Sequence, residues 1–218
     1  MALTYLLTAI LAYVLGSIPT GYIVARVKGL DIRNVGSGNI GATNVFRTLG
    51  KPAGIFVLVV DGLKGYAAAA WMVDLIQARI ANPAVEIEHL RLVAGLCVVL
   101  GHNYTFWLKF KGGKGIATSA GALAAMVPWA LVVILSIFII VLAATRYVSL
   151  GSICASLALP FATWITGGQH FLEHGSLTMI SVTTAMGILA IYKHRANIRR
   201  LIEGTESRLG VRPKEAVQ

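Results

Sequence analysis

Residues 115–145 read GIATSAGALAAMVPWALVVILSIFIIVLAAT, an apolar stretch whose division into helices decides the membrane topology of the chain. As one helix it would measure about 46 Å at 1.5 Å per residue, well beyond the roughly 30 Å hydrocarbon core of a bilayer. Pro128 lies inside the stretch, and a proline removes a backbone donor and clashes with the preceding turn of a helix. The sequence therefore predicts a break at Pro128, with a short membrane segment at 115–127 and a second helix after it.

The composition of the whole chain is typical of a polytopic membrane protein. Of its 218 residues, 56% are hydrophobic and only 13% are charged, and the mean hydropathy is +0.75. Apolar runs lie at 2–25, 53–78, 90–108, 115–145, 150–166 and 176–192. With the break at Pro128, they predict an all-α polytopic membrane protein with about seven transmembrane helices in one integral membrane domain over 1–218. Five or six helices are the alternative.

The first apolar run is predicted to be a helix of the mature protein and not a cleaved signal peptide. No basic residue precedes it, no small-residue cleavage site follows it, and it continues through Ser17, Pro19 and Tyr22. Cys97 and Cys154 lie inside apolar runs, without the spacing of a disulfide framework or a metal site. We therefore expect both cysteines to be small buried side chains.

The distribution of charge predicts the orientation of the chain in the membrane. The net charge is +10, and sixteen of the nineteen basic residues fall into four groups at the ends of apolar runs: 26–51, 109–114, Arg146 and 193–214. This placement favours membrane lipids as partners and argues against nucleic acid. Because positive loops face the cytoplasm, the N-terminus is predicted outside and the C-terminus in the cytoplasm.

The same orientation places all the motif-like stretches on one face. The loops 33–51 and 101–118 and the tail 193–218 are predicted to be cytoplasmic. The opposite loops, 79–91 and 167–175, carry the acidic residues Glu86, Glu88 and Glu173 against the two basic residues Arg79 and Arg91. Their composition agrees with the opposite face.

The first glycine-rich stretch, 36–44, has the composition of an anion-binding turn. Gly36, Gly38 and Gly41 match the spacing of a dinucleotide fingerprint, but no strand precedes them, so that interpretation is excluded. Glycines allow backbone N–H groups to converge on an anion, and polar and basic side chains surround them: Arg33, Ser37, Asn39, Thr43, Asn44 and Arg47. A glycine-rich reversal capped by serine and asparagine is the equally weighted structural alternative.

The second glycine-rich stretch, 101–115, is predicted to bind a phosphate group. Its lysines precede a predicted helix, and lysines at a helix N-terminus are unfavourable unless an anion lies between them. It is not a nucleotide-binding P-loop, because Leu108 takes the first glycine position and Gly115 follows Lys114 where Ser or Thr is needed. Lys109 and Lys111 are alternatively charges that only set topology. His102 is either an interfacial structural histidine or a proton carrier or phosphate contact.

Three further groups of polar residues complete the candidate set. His194 and Asn197 lie three apart on one face of a basic helix that continues the last apolar run, although a plain juxtamembrane basic helix has the same composition. Asp61 and Lys64 also lie three apart, and we expect a mutual ion pair before a substrate contact. Ser149 is predicted as the N-cap of the sixth helix.

Together these stretches resemble the bacterial membrane acyl-phosphate:glycerol-3-phosphate acyltransferase family. The matching segments are 37–44 (SGNIGATN), 61–65 (DGLKG), 101–104 (GHNY), 110–115 (FKGGKG), 146–149 (RYVS) and 194–206 (HRANIRRLIEGTE). The family usually has a proline after the aromatic residue of the second motif, where this chain has Tyr104 and Thr105. We expect this difference to alter the stiffness of the loop more than its chemistry.

The resemblance implies a multi-pass enzyme of the bacterial inner membrane, with its active site facing the cytoplasm. It implies transfer of a fatty acyl group from acyl phosphate to the 1-hydroxyl of sn-glycerol 3-phosphate, which yields lysophosphatidic acid and phosphate in phospholipid synthesis. It implies no cofactor and no metal. Because acyl phosphate is already activated, positioning and charge stabilisation suffice without a covalent intermediate.

The resemblance also assigns roles to the candidate residues. The expected glycerol 3-phosphate contacts are Ser37, Arg47, Lys111 and Asn197. The expected acyl-phosphate contacts are Gly38, Asn39, Gly41, Thr43, Asn44, Gly112, Gly113 and Lys114. Ser37, His102 and His194 are the catalytic candidates, with the substrate's own phosphate as an alternative proton acceptor, and Asp61, Lys64 and Ser149 are supporting residues.

Other classes of membrane protein fit the sequence less well. Acyl-CoA-type glycerol-phosphate acyltransferases commonly carry a His-x4-Asp motif, and no histidine here is followed by Asp at that spacing. A transporter for a phosphorylated solute would also use broken helices, but no inverted repeat is apparent. A metal-dependent lipid-phosphate transferase needs clustered Asp and Glu ligands, which the predicted cytoplasmic loops lack.

Overall fold

The structure is a computed structural model that describes residues 1–80, 85–167 and 176–210. All regular elements in these ranges are helical, which confirms the predicted all-α class. They are α1 (Ala2–Gly16), α2 (Thr20–Val27), α3 (Ala42–Leu49), α4 (Lys51–Ala67), α5 (Val73–Ile80), α6 (Ile87–Asn103), α7 (Ile116–Met126), α8 (Pro128–Thr145), α9 (Val148–Thr166), α10 (Ser176–Lys193) and α11 (Arg195–Ile202). A π-helical segment, Ala68–Met72, joins α4 to α5, and short 3-10 helices lie at Ile32–Asn34 and Phe106–Leu108.

Several of the described helices are long and apolar enough to span a membrane. They are Ala2–Val27, Lys51–Ile80, Pro128–Thr145 and Val148–Thr166, with shorter apolar helices at Ile116–Met126 and Leu177–Lys193. These segments agree with an integral membrane protein. The count of seven spans and the orientation of the termini stay predictions. Glu173 in the loop 167–175 and the last part of the tail, 211–218, lie outside the described residues.

The predicted break at Pro128 is present. Helix α7 ends at Met126, Val127 leaves the helical conformation with φ −142° and ψ 66°, and α8 starts at Pro128. Proline suits the first position of a helix because its missing N–H would have no partner there. Helix α7 has 11 residues and therefore rises only about 17 Å.

The first apolar run is interrupted, contrary to the predicted continuous helix. Helix α1 ends at Gly16 and α2 starts at Thr20, because Pro19 has no N–H and restricts the residue before it. The carbonyl oxygen of Ser17 accepts a hydrogen bond from Thr105 Oγ1 at 2.5 Å, and that of Ile18 accepts one from Lys64 Nζ at 2.9 Å. Side chains from distant segments therefore satisfy the backbone at this break, as a low-dielectric setting requires.

The described residues divide into two compact units, Met1–Pro128 and the part from Trp129 onward. In the first unit, one hydrophobic cluster joins the two glycine-rich stretches. Leu108, from the second stretch, shares this cluster with residues within or next to the first stretch and on two neighbouring helices: Ala25, Ile32, Ile40, Val45 and Val57. Because these side chains are buried together, the two stretches are held next to each other.

In the second unit, α9 packs against α10, and the tail after α11 folds back onto the start of α9. The backbone N–H of Leu209 donates to the carbonyl of Arg146 at 2.7 Å. The last helix is not continuous as expected. Helix α10 ends at Lys193, and His194 (φ −94°, ψ 4°) is the N-cap of α11.

Candidate functional site

The first glycine-rich stretch is shaped by two asparagine side chains. Asn44 is 2% exposed, and its Nδ2 donates to the carbonyl oxygens of Ile32, Val35 and Asn39 at 3.3, 3.0 and 2.9 Å. Asn44 Oδ1 accepts from the N–H of Ser37 at 2.9 Å, and Asn39 Oδ1 accepts from the N–H of Gly41 at 2.8 Å. The side chains of Asn39 and Asn44 therefore act as the alternative interpretation predicts: they cap the chain reversal and fix the conformation of the loop.

The stretch ends at the N-terminus of α3. Gly41 is the N-cap and has no side chain to cap the first turn, in which Thr43 is half-buried. Ser37 and Arg47 are exposed. The first amides of a helix carry the positive end of its dipole, so this terminus suits an anion.

Arg33 does not contribute its charge to that terminus as expected. Its guanidinium pairs with Asp31 at 2.6 and 2.9 Å and lies over the ring of Tyr22 at 4.9 Å. The hydrogen bond from Arg33 lowers the pKa of Asp31 to about 2. Arg33 therefore serves the turn before the glycines, where the neighbouring Asp31 neutralises its charge.

The second glycine-rich stretch is wrapped around His102. The N–H groups of Gly112 and Gly113 donate to the carbonyl oxygens of Asn103 and His102 at 3.2 and 3.1 Å. A Cβ on Gly113 would overlap the Nε2 atom of His102, so only glycine permits this approach. His102 is 6% exposed and supports the backbone that leads to Lys114.

Lys114 and Gly115 form the start of α7. Gly115 is the N-cap in the left-handed conformation, with φ 77°, and the preceding Lys114 is half-buried. A lysine before an N-terminus that has glycine as its cap is the arrangement expected for a bound anion. Lys111 is exposed in the same stretch.

Thr105 stands where the resemblance leads us to expect proline, and its side chain has a defined function in the fold. It is 1% exposed and donates to the Ser17 carbonyl. In the turn that follows, Lys109 and Phe110 have positive φ angles of 54° and 61°. The N–H of Phe110 donates to the Thr105 carbonyl at 2.9 Å, which holds this turn.

Asp61 and Lys64 form the predicted ion pair, at 2.8 Å between Oδ1 and Nζ. The same Oδ1 accepts a hydrogen bond from Thr20 Oγ1 at 3.0 Å and lies 3.7 Å from His102 Nδ1. Thr118 Oγ1 lies 3.3 Å from that Nδ1. The ion pair is therefore part of a polar cluster that reaches α2, α4, α6 and α7.

In the second unit, Glu206 is the centre of a separate cluster. Its Oε1 accepts from Ser149 Oγ and Asn197 Nδ2, both at 2.7 Å, and its Oε2 accepts from Arg200 Nε at 2.7 Å. Burial alone would raise the pKa of Glu206, but the hydrogen bonds from these three side chains outweigh it, so its pKa lies below the usual value. The cluster fixes the side chain of Asn197.

The predicted N-cap role of Ser149 is wrong. Tyr147 is the N-cap of α9, and Ser149 lies inside the first turn with its hydroxyl on Glu206. Ser149 is nevertheless a supporting residue of the second-unit cluster.

His194 has a ring orientation that defines its chemistry. Its Nδ1 lies 2.7 Å from the carbonyl oxygen of Ala190, and a carbonyl only accepts, so we assign the proton to Nδ1. In the neutral ring, Nε2 is then the proton acceptor. His194 is 2% exposed, and its carbonyl accepts the N–H of Asn197 at 2.8 Å.

Sequence reasoning missed four residues of these clusters, one of which, Arg200, lies in the basic tail motif. Glu206 lies within the matched tail motif, and an acidic residue in a basic tail was a usable signal. Thr20 and Thr118 gave no signal, because a threonine in an apolar helix usually bonds its own backbone. Among the residues that the structure describes, no group of three or more His, Cys, Asp or Glu side chains is arranged to hold a metal ion.

Comparison with known proteins assigns the chain to a family. A model of the family described as glycerol-3-phosphate acyltransferase matches residues 6–204. Glycerol-3-phosphate acyltransferases of Geobacter sulfurreducens and Desulforudis audaxviator are each 45% identical, and the alignments cover 93% and 97% of this chain and 96% and 98% of those proteins.

Two solved structures are also similar. A crystal structure of PlsY (YgiH), an integral membrane glycerol 3-phosphate acyltransferase in its glycerol 3-phosphate form, has a TM-score of 0.80 and 39% identity, and covers 94% of this chain and 96% of that one. The lysophosphatidic acid form has a TM-score of 0.78 and 37% identity over 94% and 95%. The chain is therefore an integral membrane protein that belongs to the glycerol-3-phosphate acyltransferase family.

Proposed function

We propose that the chain transfers a fatty acyl group from acyl phosphate to the 1-hydroxyl of sn-glycerol 3-phosphate. The products are lysophosphatidic acid and phosphate, and the reaction takes place in phospholipid synthesis at the cytoplasmic face of the bacterial inner membrane. The observation that carries the proposal is the pair of glycine-rich stretches joined by one hydrophobic cluster, each leading into a helix with glycine as its N-cap. Two substrates that each carry a phosphate suit two such sites.

The acyl phosphate is proposed to bind at the start of α7. Gly112, Gly113 and Lys114 lead into that terminus, and the lysine adds a positive charge to its dipole. From the first stretch, Gly38, Gly41 and Thr43 contribute to the same phosphate. Asn39 and Asn44 contribute through the loop conformation that their hydrogen bonds maintain.

Glycerol 3-phosphate is proposed to contact the exposed side chains of the first unit, Ser37, Arg47 and Lys111. Asn197 keeps its proposed role as a glycerol 3-phosphate contact. Its Nδ2 donates to Glu206 at 2.7 Å, which fixes the side chain. The glycerol 3-phosphate form of PlsY supports this substrate class.

The proposed reaction is a direct displacement at the acyl carbon. The 1-hydroxyl oxygen bonds to the carbonyl carbon, the bond from that carbon to the phosphate oxygen breaks, and the hydroxyl proton moves to a base. No covalent acyl-enzyme is needed, because near-attack placement of bound reactants alone contributes about 7 to 11 kcal/mol.

His102 and His194 are the proposed candidates for orienting the hydroxyl or taking its proton, with the substrate's own phosphate as the alternative acceptor. His194 has Nδ1 at 2.7 Å from the Ala190 carbonyl, and His102 has Nδ1 beside Asp61 and Thr118 and Nε2 against Gly113. Ser37 is proposed to orient the hydroxyl. His102 suits a role in holding the second loop.

The decisive experiment offers the purified protein either acyl phosphate or acyl-CoA with glycerol 3-phosphate. We expect lysophosphatidic acid and equimolar phosphate from acyl phosphate. Absence of product from acyl phosphate, or product from acyl-CoA alone, would overturn the proposal.

The site assignment is tested with Lys114→Ala. A charged hydrogen bond contributes about 1.5 to 3 kcal/mol, so the KM for acyl phosphate should rise at least tenfold. Lys28→Ala, which removes an exposed lysine after α2, is the matched control and should be unchanged. An unchanged Lys114→Ala enzyme would contradict the assignment of the donor phosphate to α7.

A further inference from the structure

The carboxylate of Asp61 lies between the two glycine-rich stretches of the first unit. Asp61 is 2% exposed. Its Oδ1 is 3.0 Å from Thr20 Oγ1, 2.8 Å from Lys64 Nζ and 3.7 Å from His102 Nδ1. One oxygen atom therefore contacts residues of three separate segments.

One set of contacts leads from Asp61 to the first stretch. Thr20 is the first residue of α2, and the next residue, Gly21, touches the backbone at Ile40 so closely that a Cβ would overlap the Ile40 carbonyl oxygen. Ile40 is 4% exposed and directly precedes Gly41, the N-cap of α3. The position of Thr20 therefore fixes the backbone at the start of α3.

A second set of contacts leads from Asp61 to the second stretch. The His102 ring has Asp61 and Thr118 on its Nδ1 side and Gly113 against Nε2. The carbonyl of His102 also accepts the N–H of Gly113 at 3.1 Å. The position of His102 therefore fixes the backbone just before Lys114 and the start of α7.

We propose that Asp61 is a positioning residue that sets the spacing between the two helix N-termini, acting through Thr20 on one and through His102 on the other. The proposal rests on the proposed function, in which both helix N-termini contribute to the acyl-phosphate site and glycerol 3-phosphate contacts exposed side chains of both stretches. Both substrates would still bind without Asp61, but the hydroxyl and the acyl carbonyl would no longer meet correctly. A misplacement of about 1 Å in a reactive geometry costs about 100-fold in rate.

The competing explanation is an ion pair that only stabilises the fold. It predicts fewer folded molecules with an unchanged turnover for each of them. The proposal that Asp61 sets the spacing of the two helix N-termini predicts a lower turnover in molecules that still bind substrate. The two are separated when kcat is expressed per binding site, with the sites counted by calorimetric titration with glycerol 3-phosphate.

The variants are Asp61→Asn, the double variant Asp61→Asn/Lys64→Met, and Thr20→Val. We expect Asp61→Asn to lose about 10- to 100-fold in kcat per site, with both KM values within about threefold of wild type. The double variant removes the stranded lysine charge and should show the same loss. An unchanged kcat per site in these variants would overturn the proposal.

Thr20→Val keeps the ion pair and removes only the hydrogen bond from Thr20 to Asp61. It therefore remains informative if the Asp61 variants do not fold. We expect a smaller loss of the same kind, about three- to tenfold in kcat per site. In the Asp61→Asn background, Thr20→Val should have no further effect, because both changes interrupt one connection. Multiplicative losses, or a Thr20→Val enzyme with normal turnover, would contradict the spacing role.

Asp74→Asn is the matched control, since it removes another aspartate that pairs with a basic residue, Arg91, at 3.0 Å. It should leave kcat per site unchanged. Failure of the proposed function looks different, because the wild-type protein itself would then bind no glycerol 3-phosphate or form no product from acyl phosphate. A fully active wild type with normal Asp61 and Thr20 variants refutes the spacing inference alone.

Discussion

The buried carboxylates Asp61 and Glu206 hold their surroundings in different ways. Asp61 lies within a membrane-spanning stretch, and its cation is Lys64, three residues away on the same helix, with 5% of its side chain exposed. Glu206 lies in the tail after α11, and its cation, Arg200, has 34% of its side chain exposed. Asp61 therefore has a buried counter-charge on its own helix, whereas Glu206 is held by neutral donors and by an arginine that reaches water.

The difference predicts unequal sensitivity to loss of the carboxylate. Removing Asp61 leaves a lysine that cannot reach solvent, and an unpaired buried charge is costly. Removing Glu206 leaves Arg200 able to hydrate, together with the neutral Ser149 and Asn197. We expect the first unit to be the more sensitive of the two.

The largest effect should come from Asp61→Ala. Breaking a buried pair by removing one partner costs about 3 to 5 kcal/mol, measured as the free energy of unfolding in detergent. The double variant Asp61→Ala/Lys64→Met should recover most of that loss. A double variant as unstable as the single one would show that the stranded lysine is not the cause.

Glu206→Gln should have an intermediate effect. The amide keeps one acceptor oxygen but presents an NH₂ group to a donor, and it loses the charge that faces Arg200, so we expect a loss of about 1 to 2 kcal/mol. Glu203→Gln is the control, because Glu203 pairs with the highly exposed Arg199. Equal loss in Glu206→Gln and Glu203→Gln would contradict the special position of Glu206.

The smallest effect concerns pH. Because the pKa of Glu206 lies below its ordinary value of 4.5, its contribution to stability is present above that value and is lost as the pH falls through the lower folded-state pKa. The stability difference between wild type and Glu206→Gln should therefore be constant from pH 7 to about 5 and shrink below 4.5. A difference that grows on acidification would contradict this sign.

Features that depend on nearby residues were predictable from the sequence. The break at Pro128 follows from the chemistry of one residue, and the pair Asp61 and Lys64 follows from a spacing of three on a helix. The same chemistry applies at Pro19, where the predicted continuation of the first helix through Ser17, Pro19 and Tyr22 is wrong.

Features that depend on contacts between distant residues were not predictable. Ser149 meets Glu206 across 57 positions, and Thr20 meets Asp61 across 41. Ser149 was therefore assigned a local capping role, because only neighbouring residues are visible in a sequence. The hydrogen bonds between the Asn44 side chain and the backbone of its own loop also depend on the three-dimensional path of the chain.

Helix α7 is short compared with the thickness of a bilayer core. At about 17 Å it is little more than half as long as a bilayer core is thick, so spanning the core would require thinner lipid or neighbouring protein at one end. Adding one turn to this helix would shift one of its ends by about 5.4 Å relative to the bilayer. The position of Pro128 therefore limits the length of the helix that starts after Gly115.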